Sequence, residues 1–263
     1  MKEKIKKVLI DLEKEKGIKI LFAVESGSRA WGMESENSDY DVRFVYIRKK
    51  EDYLTLDNKE EVITANFDNN LNKCSPEGCY IDIIGFDIYK FLKMLIKSNP
   101  TCIEWINSDI VYVGEVNEKF KDWILKNYNP ISLYYHYRSM CEQNYKKYID
   151  SGNKATYKKY LYSMRGLVYA KFIWEYNLLP SIKFPELLKA IKGNGLISNE
   201  IINELLNIIN LKKKGKEKDI VKNYSHIDSY IENFLKEEIK NDLKIIKSTD
   251  IKELNKEILK LLK

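Results

Sequence analysis

The sequence predicts an α+β fold: a small mixed β-sheet with flanking helices in residues 1–127, then an all-helical domain in residues 128–263. Three observations carry this. Short β-branched and apolar runs bounded by turn residues all fall before residue 114. From Pro130 onward, apolar residues recur at helical spacing and no run reads as a strand. The charge divides at the same place. Residues 1–125 hold 19 Lys and Arg against 23 Asp and Glu, whereas residues 126–263 hold 26 against 16, giving the net +6. A chain acidic in one half and basic in the other reads as two domains, the second able to meet a polyanion.

Each element has its own signal. Residues 2–16 read as an amphipathic helix, with Ile5, Val8, Leu9 and Leu12 on one stripe and Gly17 as its stop. Ile18–Glu25 reads as a buried strand. The Gly/Ser loop 26–32 follows, then a second strand over Asp39–Ile47 and a third over 60–67. Tyr80–Gly85 (YIDIIG) is a short β-branched run between Gly78 and Gly85. Asp87 is placed to cap a helix over 88–97. Asn99-Pro100 restarts another, with proline at the favoured first position. A short strand over 110–113 and a helix over 115–128 complete the first half. In the second half, helical periodicity covers 131–150, 154–177, 185–192, 198–212 and 225–262, with breaks at Gly152, Pro180, Pro185, Gly193, Gly195 and Gly215.

Composition excludes several classes. A hydrophobic fraction of 44% supports a packed core, and 11 Gly and 5 Pro are too few for collagen-like or low-complexity chains. The start, MKEKI, carries no apolar segment of a signal peptide, and no stretch reaches the ~18 apolar residues of a membrane span. Cys74, Cys79, Cys102 and Cys141 lack zinc-site spacing and read as free thiols in a reducing cytoplasm. The sequence holds no G-x-x-x-x-G-K-[ST] loop and no G-x-S-x-G elbow. His136 reads as a core histidine.

The chemistry concentrates in Gly27-Ser28, then ten residues, then Asp39-Tyr40-Asp41. On a strand, residues i and i+2 face the same way, so Asp39 and Asp41 project together, opposite Tyr40 and Val42. Two carboxylates this close need a positive charge between them, and a hard divalent cation is the natural one. The loop after the first strand supplies backbone N–H groups and the Ser28 hydroxyl for phosphate oxygens, with Arg29 beside them. Together they imply a phosphate-bearing ligand bridged to the protein by metal. Asp82, charged in mid-strand, is the choice for a third carboxylate. Asp87 and Asp68 are its rivals, the first better explained as a helix cap and the second as part of an Asn-rich turn.

GSRAWG followed by SDYDVRF resembles the signature of DNA polymerase β-like nucleotidyltransferases, closest to a bacterial and phage branch linked to RNA repair. Gly27, Ser28, Asp39, Asp41 and Asp82 match that pattern, Trp31-Gly32 is specific to the branch, and the likeness continues through KKYLYSMRGLVYAKFIW at 158–174. The resemblance implies a catalytic domain over 1–127 and a helical substrate domain over 128–263. It implies two Mg²⁺ ions, replaceable by Mn²⁺, on Asp39 and Asp41, with Asp82 completing one site and helping to deprotonate the acceptor. It implies an NTP donor held by Ser28 and the loop amides, attack at the α-phosphorus and release of pyrophosphate. The acceptor it favours is an RNA, tRNA-like 3′ end. A protein hydroxyl (AMPylation of the toxin–antitoxin type), a small molecule such as an aminoglycoside, or a non-enzymatic RNA-binding role are the alternatives. On the helix 154–177, Lys154, Lys158, Tyr162, Arg165 and Tyr169 share one face. Lys158 and Arg165 are thus candidates to clamp the triphosphate and Tyr162 to stack on a base. Leu161, Met164, Val168 and Phe172 form the neighbouring apolar face.

Overall fold

A computed structural model describes residues 1–57, 59–150, 155–216, 219, 224–237 and 251–263. The chain divides into two compact units. The first takes in Met1–Ala30, Ser38–Tyr128 and the C-terminal helix; the second takes in Trp31–Asn37 and the helical segment beginning at Asn129.

In the first unit, α1 (Lys2–Lys16) buries Ile5, Val8, Leu9 and Leu12, the stripe set by their spacing. It is followed by β1 (Lys19–Glu25), the short turn of helix α2 (Gly27–Ala30), β2 (Tyr40–Ile47), β3 (Val62–Phe67) and β4 (Ile81–Asp87). Helices α3 (Ile88–Ile96) and α4 (Pro100–Ile106), strand β5 (Val111–Gly114) and helix α5 (Glu118–Asn127) complete the run. The sheet order is β3-β4-β2-β1-β5. Only β2 and β4 pair in parallel, so the sheet is mixed as the sequence predicts. The apolar face of the sheet, with Ala23, Val42, Phe44, Ile81 and Ile83, closes on α1. Caps fix the helices: Asp87 Oδ1 accepts from Tyr89 N at 2.9 Å, and Asn99 Oδ1 from Thr101 N at 2.9 Å. The C-terminal helix α11 (Lys252–Leu261) packs on α5, where Asn117 Nδ2 donates to Glu257 Oε2 at 3.4 Å.

The second unit is helical. Its elements are α6 (Pro130–Tyr145), α7 (Tyr157–Tyr176), α8 (Phe184–Ala190), α9 (Asn199–Leu211) and α10 (Ser225–Lys236). Gly166 lets α6 and α7 meet backbone to backbone, because a Cβ there would lie 2.7 Å from Tyr137 O and 2.8 Å from Cys141 N. From Tyr160 to Ala170, α7 is buried at every residue except Tyr162. A helix buried all round is the centre of its unit rather than a two-faced surface element. The expected tract over 225–262 is divided: α10 ends at Lys236 and α11 begins at Lys252. Gly152 and Lys154 lie outside the described residues. His136 is exposed, its ring edge-on to Tyr137 at 5.6 Å, which corrects its reading as a core histidine.

Candidate active site

The pairing register of the first unit builds the site. In the parallel pair β2/β4, Asp41 stands opposite Asp82. Arg43 follows Asp41 by two residues, so it shares Asp41's face of the sheet. Its guanidinium Nη2 donates to Asp41 Oδ1 at 3.0 Å and to Asp82 Oδ2 at 2.7 Å, and Nη1 donates to Asp82 O at 2.9 Å. The positive charge that the two acids require is therefore supplied in part by a side chain. The side chains of Arg43, Asp41 and Asp82 are 13%, 25% and 29% exposed, so the cluster lies at the surface yet is screened less than a fully solvated ion pair.

Asp41 is held from the other side by the end of β1. Glu25 is fully buried and its Oε1 accepts from Asp41 N at 2.8 Å, while Ser26 N donates to Asp41 O at 2.8 Å. Tyr112 on β5 donates its hydroxyl to Glu25 Oε2. Burial pushes the Glu25 carboxyl up to about 7, against the lowering by the Tyr112 and Asp41 hydrogen bonds. Gly27 begins α2 at φ +60°, where a Cβ would fall on Asp41 Oδ2. Glycine is required there twice over, by the left-handed backbone and by the close approach of the carboxylate. The Gly27-Ser28 turn and the Asp41 carboxylate are thereby brought together, as the motif predicts. The Ser28 side chain is buried.

Other predicted residues are placed differently. Asp39 precedes Tyr40, the first residue of β2, and is exposed. Arg29 fastens that entry: its Nη2 donates to Ser38 O at 2.6 Å and its Nε to Asp39 O at 3.1 Å, with the guanidinium 3.8 Å over the Tyr40 ring. Asp39 and Asp82 nevertheless act on a common neighbour. The Cys79 thiol is held above its usual range by burial first, and then by the charge of the nearby Asp82 and, further down, of Asp39. The rivals are both accounted for structurally: Asp87 caps α3, and Asp68 closes its turn by accepting from Asn70 N and Asn72 N at 2.8 Å each.

Among the described residues, no three His, Cys, Asp or Glu side chains converge as a ready-made metal cage. The donor chemistry of Asp39, Asp41 and Asp82 fits a hard divalent cation, since all three offer carboxylate oxygens. Arg43 engages one oxygen on each of two of them. Arg43 and Glu25 were not singled out by sequence reasoning. The i, i+2 spacing of Asp41 and Arg43 was a signal for the first, whereas Glu25 gave none beyond ending a strand.

The remaining sequence-predicted residues lie in the helical unit. Lys158 and Tyr162 are half-buried at the start of α7, the ammonium 5.7 Å from the tyrosine ring centre. Arg165 is 2% exposed, its guanidinium 3.8 Å from the Trp31 ring and 4.6 Å from that of Tyr169. It is buried between these two aromatic rings. Trp31 also meets Tyr162 edge-on at 5.6 Å, and its carbonyl accepts from Phe184 N at 3.0 Å. The buried Lys212 donates to Met33 O at 2.7 Å. The GSRAWG motif therefore contributes its first four residues to the sheet unit and its last two to the helical unit.

The chain is 33% identical to the uncharacterized protein YcgL of Bacillus subtilis, over 98% of this chain and 95% of that one. It is 32% identical to the uncharacterized protein MJ0002 of Methanocaldococcus jannaschii, over 46% of this chain and 47% of that one. Among solved structures, it is similar to a nucleotidyltransferase-like protein from Exiguobacterium sibiricum at 11% identity and a TM-score of 0.31, over 98% and 89% of the two chains. The RNA repair pathway DNA polymerase beta family matches residues 1–260. Matched across nearly its whole length, the chain belongs to the RNA repair pathway DNA polymerase beta family, and with it to the nucleotidyltransferases.

Proposed function

We propose that the protein transfers a nucleoside monophosphate from an NTP to a hydroxyl at an RNA end. The acceptor oxygen bonds to the α-phosphorus, the bond from that phosphorus to the bridging oxygen breaks, and pyrophosphate leaves. The observation that carries this reading is the convergence of Asp41, Asp82 and the Gly27-Ser28 turn in one unit of a nucleotidyltransferase chain.

Each residue has a task in this reading. Gly27 lets the backbone come close to the ligand, and Ser28 with the loop amides binds the β- and γ-phosphates. Asp82 takes the proton of the attacking hydroxyl. Arg43 keeps Asp82 oriented and neutralises part of the carboxylate charge before substrate arrives. Arg29 fixes the chain at Asp39 rather than binding phosphate directly. Asp39, Asp41 and Asp82 would hold Mg²⁺, or Mn²⁺ in its place, which supplies Lewis-acid stabilisation of the charge that develops on the phosphates.

The sheet unit is then the catalytic domain and the helical unit the substrate domain. The basic excess of the second half suits an RNA acceptor, and RNA binding that weakens steeply with added salt would support it. The four free thiols suit a cytoplasmic protein, and among the described residues no helix is long and apolar enough to cross a membrane.

The test is to incubate purified protein with Mg²⁺, single-stranded and tRNA-like RNA, and each labelled NTP in turn. RNA lengthened by one or more nucleotides in the presence of any of the NTPs supports the reading. RNA never lengthened, with a one-nucleotide mass shift on a protein instead, overturns the choice of acceptor.

A further inference from the structure

The helical unit holds a cleft of about 670 Å³ that the chemistry above does not use. That volume is in the range of small-ligand sites. Its walls come from α6, α7, α10 and the turn at Asn194–Leu196. Four aromatic side chains line it: Tyr134, Trp174, Tyr176 and Phe234. Tyr134 and Phe234 are buried and form a floor; Trp174 is half-buried and Tyr176 exposed, so their rings stand at the opening.

The aromatic wall is fixed in place. Tyr134 and Trp174 pack at 5.1 Å between ring centres. Arg138 Nη1 donates to the Tyr134 hydroxyl at 3.0 Å, and its guanidinium lies 5.1 Å from the Phe234 ring centre. The same side chain donates to Leu235 O at 2.7 Å, which ties the end of α10 to α6. At the opening, Asn194 Nδ2 donates to the Tyr176 hydroxyl at 2.7 Å. A wall held by this many bonds is organised before any ligand arrives, which lowers the ordering cost of binding.

The charged groups lining the cleft are Lys171, Glu175 and Glu237. Lys171 is 3.8 Å from Glu237, so its charge is largely answered. Glu175 adds a second carboxylate, so that among the described residues Lys171 and Arg138 are matched by Glu237 and Glu175. A cleft with no surplus positive charge does not draw in the phosphates of a ligand. It favours a flat, uncharged ring whose edge carries N–H donors. Rings of that type stack on Trp and Tyr, and their amino or imino hydrogens are accepted by a carboxylate.

We propose that this cleft binds an unpaired nucleobase, stacked on Trp174 and hydrogen-bonded through its N–H edge to Glu175. The base has two sources, an RNA strand or a free nucleotide. The RNA source rests on the acceptor assigned under Proposed function, and the free-nucleotide source does not.

The experiment uses the full chain and fluorescent 2-aminopurine, placed once in a single-stranded oligoribonucleotide and once as the free nucleoside monophosphate. Trp174→Ala should weaken binding of the source that occupies the cleft by roughly 5- to 150-fold. Trp174→Phe should restore most of it, which a merely structural loss would not. Glu175→Gln, at an exposed position, should weaken binding with the melting temperature unchanged. Binding of both probes that is equal in wild type, Trp174→Ala and Glu175→Gln overturns the cleft while leaving the RNA acceptor standing. Binding of neither probe by the wild type overturns the cleft, and the strand-lengthening assay then judges the acceptor by itself.

Discussion

Arg43 Nη2 lies 2.7 Å from Asp82 Oδ2, joining β2 to β4 at the register position where Asp82 stands opposite Asp41. The bond means that the third carboxylate is aimed by an arginine before any cation or substrate is present. Arg43→Gln should therefore leave Asp82 unaimed and lower the transfer rate by about 10²-fold, the usual cost of misplacing a reacting group by about 1 Å. Arg43→Lys should recover part of that loss, since it returns the charge but not the fork. Single-turnover kinetics of the two variants checks this.

Gly27→Ala is expected to be damaging in two ways. The left-handed φ of +60° costs a non-glycine residue about 1–2 kcal/mol. The added methyl also displaces the Asp41 carboxylate. A modest fall in melting temperature should accompany a large fall in turnover. A variant as active as the wild type would show that Asp41 need not stay where it is.

Arg165→Ala tests whether this residue packs or clamps. Its removal opens a gap between Trp31 and Tyr169, and should cost about 2–4 kcal/mol of stability, seen as a lower denaturant midpoint. A triphosphate clamp would instead raise the KM for NTP and leave the midpoint where it was.

The thiols should divide into two classes. Burial holds Cys102 well above the usual thiol range and pushes Cys141 up to about 12, so neither forms thiolate near neutral pH. Cys74 and Cys79 are half-buried. A thiol-specific reagent should thus modify at most two cysteines in the native protein and all four after unfolding. Modification of Cys141 without unfolding would contradict the packing of α6 on α7.

How much of this was legible in the sequence depends on whether the signal is local. The stripe of α1, the caps at Asp87 and Asn99 and the strand YIDIIG are written within a few residues, and the structure places them close to where the sequence does. The pairing of Asp41 with Asp82 is a register between strands 41 residues apart, and with it the place of Arg43 between them. No spacing along the chain encodes that. The second strand was read from Asp39 and begins at Tyr40. On α7 the sequence separates a face with Lys158 and Arg165 from an apolar one. The helix is enclosed on nearly all sides, so Arg165 is buried where periodicity alone puts it toward solvent. Trp31 was read with the phosphate loop, yet its partners Arg165, Tyr162 and Phe184 are found only through the tertiary fold.

In the function proposed, Asp41 serves nucleotidyl transfer rather than the fold. The direct measurement is pyrophosphate release from NTP and RNA by wild type and by Asp41→Asn, with a melting curve of each. The wild type should release pyrophosphate, and the variant should be slower by on the order of 10³-fold or more at a similar melting temperature. A variant that keeps full activity would remove Asp41 from the mechanism.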